Sequence, residues 1–176
     1  MGYGLKAKNI LLTGPPRCGK STVIEKLINR IDRPLTGFFT REIREEGKRV
    51  GFSIIAMDGK EGILAHEKDR SRKRVGKYGV RLEDLDRVAV SSLIPSKPDE
   101  IVIIDEIGKM ECLSPLFRET LIKTLDSENR VIGSIAQKGD RFIEQIKTRK
   151  DVWLVTVSEN NRDSLVGELK EALLRI

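Results

Sequence analysis

The chain has 176 residues, of which 39% are hydrophobic and 34% charged, with a formal net charge of +6. This length suits one domain with a substantial core, residues 1–176 taken together, and the composition argues for a soluble globular protein. The basic balance favours polyanionic partners and by itself does not choose between nucleotides and nucleic acids.

Met1, Gly2, Tyr3, Gly4, Leu5 and Lys6 contain no apolar signal core, and Lys6 stands where myristoylation requires Ser or Thr. No apolar run approaches membrane-spanning length. Cys18 and Cys112 have no paired spacing and read as free thiols of a reducing compartment. The expectation is a cytoplasmic monomer away from membranes. His66 is the one histidine, which excludes a His/Cys zinc cluster.

Residues 8–13 read as a strand and residues 20–31 as a helix with Val23, Ile24, Leu27, Ile28 and Ile31 on one face. Between them Gly14, Pro15, Pro16, Arg17, Cys18, Gly19, Lys20 and Ser21 fit G-x-x-x-x-G-K-[ST]. Glycines let the backbone curl until successive N–H groups face one anion, and the following helix adds its N-terminal dipole. Thr22 continues the loop into that helix. Lys20 brings positive charge to terminal phosphates, and the Ser21 hydroxyl is placed to ligate Mg2+.

Residues 35–66 have a different texture, with β-formers interrupted by turns at 44–48 and 57–60. They predict an antiparallel meander, inserted in the main fold and packing its own face against the main sheet. Lys68, Arg70, Arg72, Lys73, Arg74 and Lys77 form the densest basic run, read as a solvated loop or a phosphate or nucleic-acid contact. No aromatic residue interleaves positions 68–74, which disfavours nucleic-acid stacking. Residues 81–94 predict a helix.

Ile101, Val102, Ile103 and Ile104 then read as a buried parallel strand, with Asp105 and Glu106 at its carboxyl end, where open α/β sheets place their sites. Asp105 suits the second metal-holding position. Glu106 beside it suits a general base acting on water, which tilts the chemistry towards hydrolysis without settling it. Lys109, Arg44 and Arg17 are each candidates for a charge opposite Lys20. Ser114 and Pro115 start another helix. Residues 130–136 and 152–157 predict strands, residues 140–147 a short helix, and Leu165, Val166, Leu169, Leu173 and Leu174 line a C-terminal one. Asn161 and Arg162 open that helix, at an edge that often lies near a nucleobase. The strand–helix alternation implies a mostly parallel sheet covered on both faces.

The chain resembles the thermophile-type, or cancer-related, nucleoside-triphosphatase family. The resemblance rests on the loop at 14–22, Gly37-Phe38-Phe39-Thr40 through Arg44 with Gly51-Phe52, Asp105-Glu106-Ile107-Gly108-Lys109-Met110-Glu111, and Asn161-Arg162-Asp163. It implies a RecA-like P-loop NTPase core of three layers and Mg2+-dependent hydrolysis of several nucleoside triphosphates (ATP, GTP, CTP, UTP) to diphosphates. Two departures stand out. The family often has Pro-Gly where Pro15-Pro16 or Pro16-Arg17 stand, so Pro16 removes one N–H donor, and an acidic residue is common at the position of Arg41. The rival readings are a small nucleotide or nucleoside kinase and an ATP-switched nucleic-acid-binding protein.

Overall fold

The computed structural model describes residues 7–174, so the leader reading of residues 1–6 lies outside it. A wholly buried strand, β1 (Asn9–Thr13), runs through the phosphate-loop sequence into α1 (Lys20–Ile28). β2 (Leu35–Glu45), β3 (Lys48–Ala56) and β4 (Glu61–His66) follow, then a small hairpin of β5 (Arg74–Val75) and β6 (Tyr78–Val80). α2 (Leu82–Asp84) continues directly into a π-helical stretch, Leu85–Val90. β7 (Ile101–Ile107) leads through a 3-10 turn (Glu111–Leu113) into α3 (Pro115–Asp126). β8 (Arg130–Ile135), α4 (Arg141–Lys147), β9 (Val152–Thr156) and α5 (Arg162–Leu174) complete the described chain.

Among the described residues all nine strands join one sheet in the order β5-β6-β4-β3-β2-β7-β8-β1-β9. The run from β2 to β9 is parallel. β8 lies between β1 and β7, and Ile132 pairs with Ile10 on one side and Ile103 on the other. The loop-bearing strand and the acid-bearing strand are therefore two strand spacings apart, about 10 Å, with their carboxyl ends on the same edge.

Alternation along the strands builds a core on each face. Leu11, Phe38, Val102 and Ile104 pack with Val88, Phe117 and Leu121, under the π-helical stretch and α3. Ile10, Leu12, Ile103 and Ile132 pack with Ile24, Leu27, Leu165 and Leu169, under α1 and α5. Each such fully buried side chain is worth about 1.5–3 kcal/mol. The result is the three-layer α/β fold expected.

The meander does not pack its face on the main sheet. It extends that sheet sideways. β2 pairs in parallel with β7 from Leu35 to Phe39 and antiparallel with β3 from Phe38 onward, so one strand belongs to both parts. Gly37 permits this crossing, because a Cβ there would meet the Ile103 carbonyl oxygen at 1.9 Å. The basic run is likewise more ordered than a loop. Val75 pairs with Tyr78, Lys77 bonds Glu67 at 2.7 Å and Lys68 bonds Glu45 at 3.1 Å. α1 stops at Ile28 rather than Ile31, where Arg30 and Ile31 tighten to bonds with the Leu27 and Ile28 carbonyls. Among the described residues no helix is long and apolar enough to cross a membrane.

Candidate active site

β1 carries Gly14 to the sheet edge, where the backbone turns with φ 147°. A Cβ on Gly14 would lie 2.5 Å from the Val157 carbonyl oxygen, so the loop is seated directly against the segment leaving β9. Pro15, Pro16 and Arg17 form its exposed tip, while Cys18 turns inward and is buried. Cys18 thus serves the loop through its backbone N–H, which bonds the Pro15 carbonyl at 3.3 Å, and through packing beneath Gly14. Arg17 holds φ 64° without being glycine, a left-handed conformation that costs about 1–2 kcal/mol. A Pro-Gly pair at positions 16 and 17 would relieve it. The Lys20 ammonium donates to the carbonyls of Gly14 and Pro15, at 3.0 and 3.1 Å, and so lies over the loop's mouth. Ser21 and Thr22 are exposed at the start of α1.

Across from the loop, β7 delivers Asp105 and Glu106. Asp105 is 2% exposed. Its Oδ1 accepts from the Ser21 hydroxyl at 3.2 Å and the Ser134 hydroxyl at 2.8 Å. Its Oδ2 is buried without a partner. Burial pushes this carboxyl above the ordinary carboxylate range, against the two hydroxyl bonds. Glu106 is also raised by burial, with the Lys20 ammonium opposing the shift and Asp105 reinforcing it. Glu111, on the 3-10 turn behind them, is raised to about 8 by burial and then by Glu106.

The donor set fits a hard divalent cation. An orphaned carboxylate oxygen beside an exposed hydroxyl offers oxygen ligands to Mg2+. Among the described residues no group of three or more His, Cys, Asp or Glu forms a metal cage, so the remaining ligands would come from phosphate and water.

The candidate cations separate in space. Lys109 is exposed on the loop just after Glu106 and faces a cavity of about 330 Å³, lined also by Arg74, Val75, Leu113, Arg118 and Ile143. Arg44 is held at the hairpin end by Glu42, at 2.9 Å, and by the Gly47 carbonyl, at 2.9 Å. It stands five residues beyond Phe39, the partner of Asp105, and thus about 17 Å along the strand. The structure therefore does not bring Arg44 to the loop. Arg162 does come to it: a Cβ on Gly19 would touch Arg162 Cδ at 3.0 Å. Asn161 orders the approach instead of pointing to a ligand, with Oδ1 accepting from the Ser158 N–H at 2.8 Å and Nδ2 donating to the Thr156 carbonyl at 2.9 Å.

Three site residues were missed from sequence. Ser134 is a lone hydroxyl in an apolar strand, a weak signal that it meets a polar partner. Arg41 sits over the Phe39 ring at 5.2 Å, bonds Glu25 at 2.6 Å and acts on Asp105 through its charge. Glu111 lies in the quoted Asp-Glu-Ile-Gly-Lys-Met-Glu string, but nothing in that string indicates its burial.

Comparison with known proteins gives one answer. The NTPase family model matches residues 9–170. The nucleoside-triphosphatase THEP1 of Thermotoga sp. strain RQ2 is 48% identical over 165 residues, 93% of this chain and 94% of that one. The crystal structure of THEP1 from Aquifex aeolicus superposes with a TM-score of 0.85 at 30% identity, covering 95% of this chain and 99% of the other. The solution structure of a human cancer-related nucleoside triphosphatase gives 0.80 at 32% identity, covering 96% and 98%. With its phosphate loop, its acid pair and its sheet order all in the matched span, this chain belongs to the NTPase family of P-loop nucleoside-triphosphatases.

Proposed function

We propose that this chain hydrolyses nucleoside triphosphates, ATP, GTP, CTP and UTP among them, to the diphosphate and inorganic phosphate with Mg2+ as cofactor. The observation that carries the reading is the 3.2 Å bond from Ser21 to Asp105, which joins the phosphate loop to the acid pair. The phosphates lie on the backbone from Gly14 to Thr22, and Lys20 exchanges its carbonyl partners for their charge. Ser21 and Asp105 would hold Mg2+, which supplies neutralising charge to the phosphate oxygens. Glu106 takes the proton of the attacking water as the new phosphorus–oxygen bond forms and the bond to the diphosphate oxygen breaks. Burial makes that carboxylate a better base than one in water.

Lys109 is the candidate counter-charge because it follows the acid pair closely along the chain, and it would have to turn from the cavity it faces; Arg44 would have to travel with its hairpin. Arg162, against Gly19, borders the nucleotide with Asn161 ordering its loop. None of these groups reads a particular base, which supports acceptance of several triphosphates. With the cation opposite Lys20 poorly placed in the absence of a partner, turnover is slow, on the order of 10⁻² s⁻¹ or below. The setting is a cytoplasmic monomer acting on free nucleotides: both cysteines are buried thiols, and Lys68 and Lys77 of the basic run pair with Glu45 and Glu67.

The test is product analysis with γ-labelled triphosphates, with and without nucleosides, monophosphates, RNA and DNA. Release of labelled phosphate from all four, with Mg2+ required, supports the reading. Transfer of label to an acceptor makes the chain a kinase. Strong, salt-sensitive stimulation by nucleic acid makes it a nucleic-acid-coupled switch. Glu106→Gln should retain nucleotide and lose most hydrolysis.

A further inference from the structure

Glu111 is a buried carboxyl placed beside two other carboxyls. It opens the 3-10 turn after β7 and is 5% exposed. Within the turn the Cys112 N–H bonds the Gly108 carbonyl at 3.0 Å and the Ser114 N–H bonds the Glu111 carbonyl at 3.1 Å, while the Glu111 carboxyl takes up the Gly108 and Glu111 N–H groups. The charged groups acting most strongly on Glu111 are Glu106 and Asp105, both carboxylates. Capping those two N–H groups accounts for a polar side chain here, but not for an ionisable one buried against two further carboxylates, where a neutral amide would avoid the cost.

Its position supplies the reason. A Cβ built on Gly108 would lie 2.8 Å from Glu111 Oε2 and 3.5 Å from both Glu106 Cδ and Glu106 Oε1. The two carboxyls therefore crowd the same small space over Gly108, Glu111 from the interior and Glu106 from the site. We propose that Glu111 is a positioning residue whose carboxyl, seated against Gly108, sets the direction in which Glu106 points at the attacking water. The inference rests on the hydrolytic reading, in which Glu106 is the base.

The electrostatics agree with this geometry. Burial raises Glu111 to about 8, which favours its neutral form at neutral pH. A neutral acid behind the base supports its orientation without repelling it. The absence of a methyl at Gly108 is what lets the Glu111 carboxyl come this close, with Glu106 at contact distance on the same glycine.

The experiment is steady-state and single-turnover hydrolysis of Mg-ATP at pH 7, with folding followed by thermal melting. Glu111→Ala frees Glu106 to turn, so kcat falls about 10- to 100-fold while KM stays within twofold, because the phosphates are held elsewhere. Glu111→Gln keeps volume and hydrogen bonding and recovers much of that loss. Gly108→Ala places a methyl between the carboxyls and lowers kcat in the same way, and it carries the test should Glu111→Ala fail to fold. In a Glu106→Gln background, Glu111→Ala adds no further loss, whereas a general structural defect lowers both backgrounds alike. Wild-type kcat in Glu111→Ala or Gly108→Ala, or full additivity with Glu106→Gln, overturns the inference. If Glu106→Gln itself keeps wild-type turnover, the hydrolytic role of Glu106 fails first. If that variant is inactive while the Glu111 variants are not, only the positioning role falls.

Discussion

Asp105→Asn separates the stability of this protein from its function. In the absence of a cation, Asp105 is a buried carboxylate with one oxygen bonded to Ser21 and Ser134 and the other bonded to nothing. Its folded pKa is raised, so above the unfolded pKa its ionisation costs stability, and at pH 7 that cost is present. An asparagine oxygen can accept both hydroxyl bonds, leaving a neutral amide where the unpartnered charged oxygen was. The difference between an unpartnered charged group and an unpartnered neutral one is about 1–2 kcal/mol. For a chain of this size that is about 2–8 °C in Tm. Melting in EDTA should therefore show Asp105→Asn more stable than the wild type. Adding Mg2+ with a non-hydrolysable triphosphate at about 100 times Kd should raise the wild type by about 2.7 kcal/mol, with the variant losing the magnesium-dependent part. A variant that melts lower in EDTA and keeps the full magnesium response would refute the assignment of Asp105 as a metal-holding residue.

Other perturbations test other parts. Gly14→Ala drives a methyl to 2.5 Å from the Val157 carbonyl; nucleotide affinity, read by isothermal calorimetry, should fall at least tenfold. Arg17→Gly removes a left-handed non-glycine residue and should raise stability by about 1 kcal/mol in urea unfolding. Glu111, raised on folding from the ordinary 4.5 to about 8, binds a proton on folding between those limits, so stability falls as pH rises through that window. Glu111→Gln should flatten the decline of Tm from pH 5 to 8. Lys109→Ala should lower kcat about tenfold or more with little change in nucleotide affinity.

Some of this molecule is legible residue by residue. The phosphate loop is readable because its geometry is local: Gly14 and Gly19 adopt positive φ, and Lys20 and Ser21 follow at a spacing that the turn itself dictates. Asp105 and Glu106 are readable because they end an unbroken apolar run. Ser114 and Pro115 mark α3 by ordinary capping chemistry, with Ser114 accepting from the Phe117 N–H at 3.0 Å.

Other features depend on neighbours that are distant along the chain. The role of Ser134 follows from β8 lying beside β7. The remoteness of Arg44 follows from β2 leaving β7 after Phe39. The hairpin in the basic run is a two-residue pairing, too short to give a periodic signal. The meander's texture predicts antiparallel strands but not which edge they join, because backbone pairing at an edge is available to any extended segment.

The amino-acid order alone determined the anion cradle, the acidic strand end and the alternating elements, since each depends on dihedral preference or periodicity within a few residues. Only tertiary structure decided that Ser21 and Asp105 meet, that Arg162 rather than Arg44 borders the loop, and that Glu111 lies behind Glu106. Those facts are set by strand order and close packing, which bring together side chains that no local pattern connects.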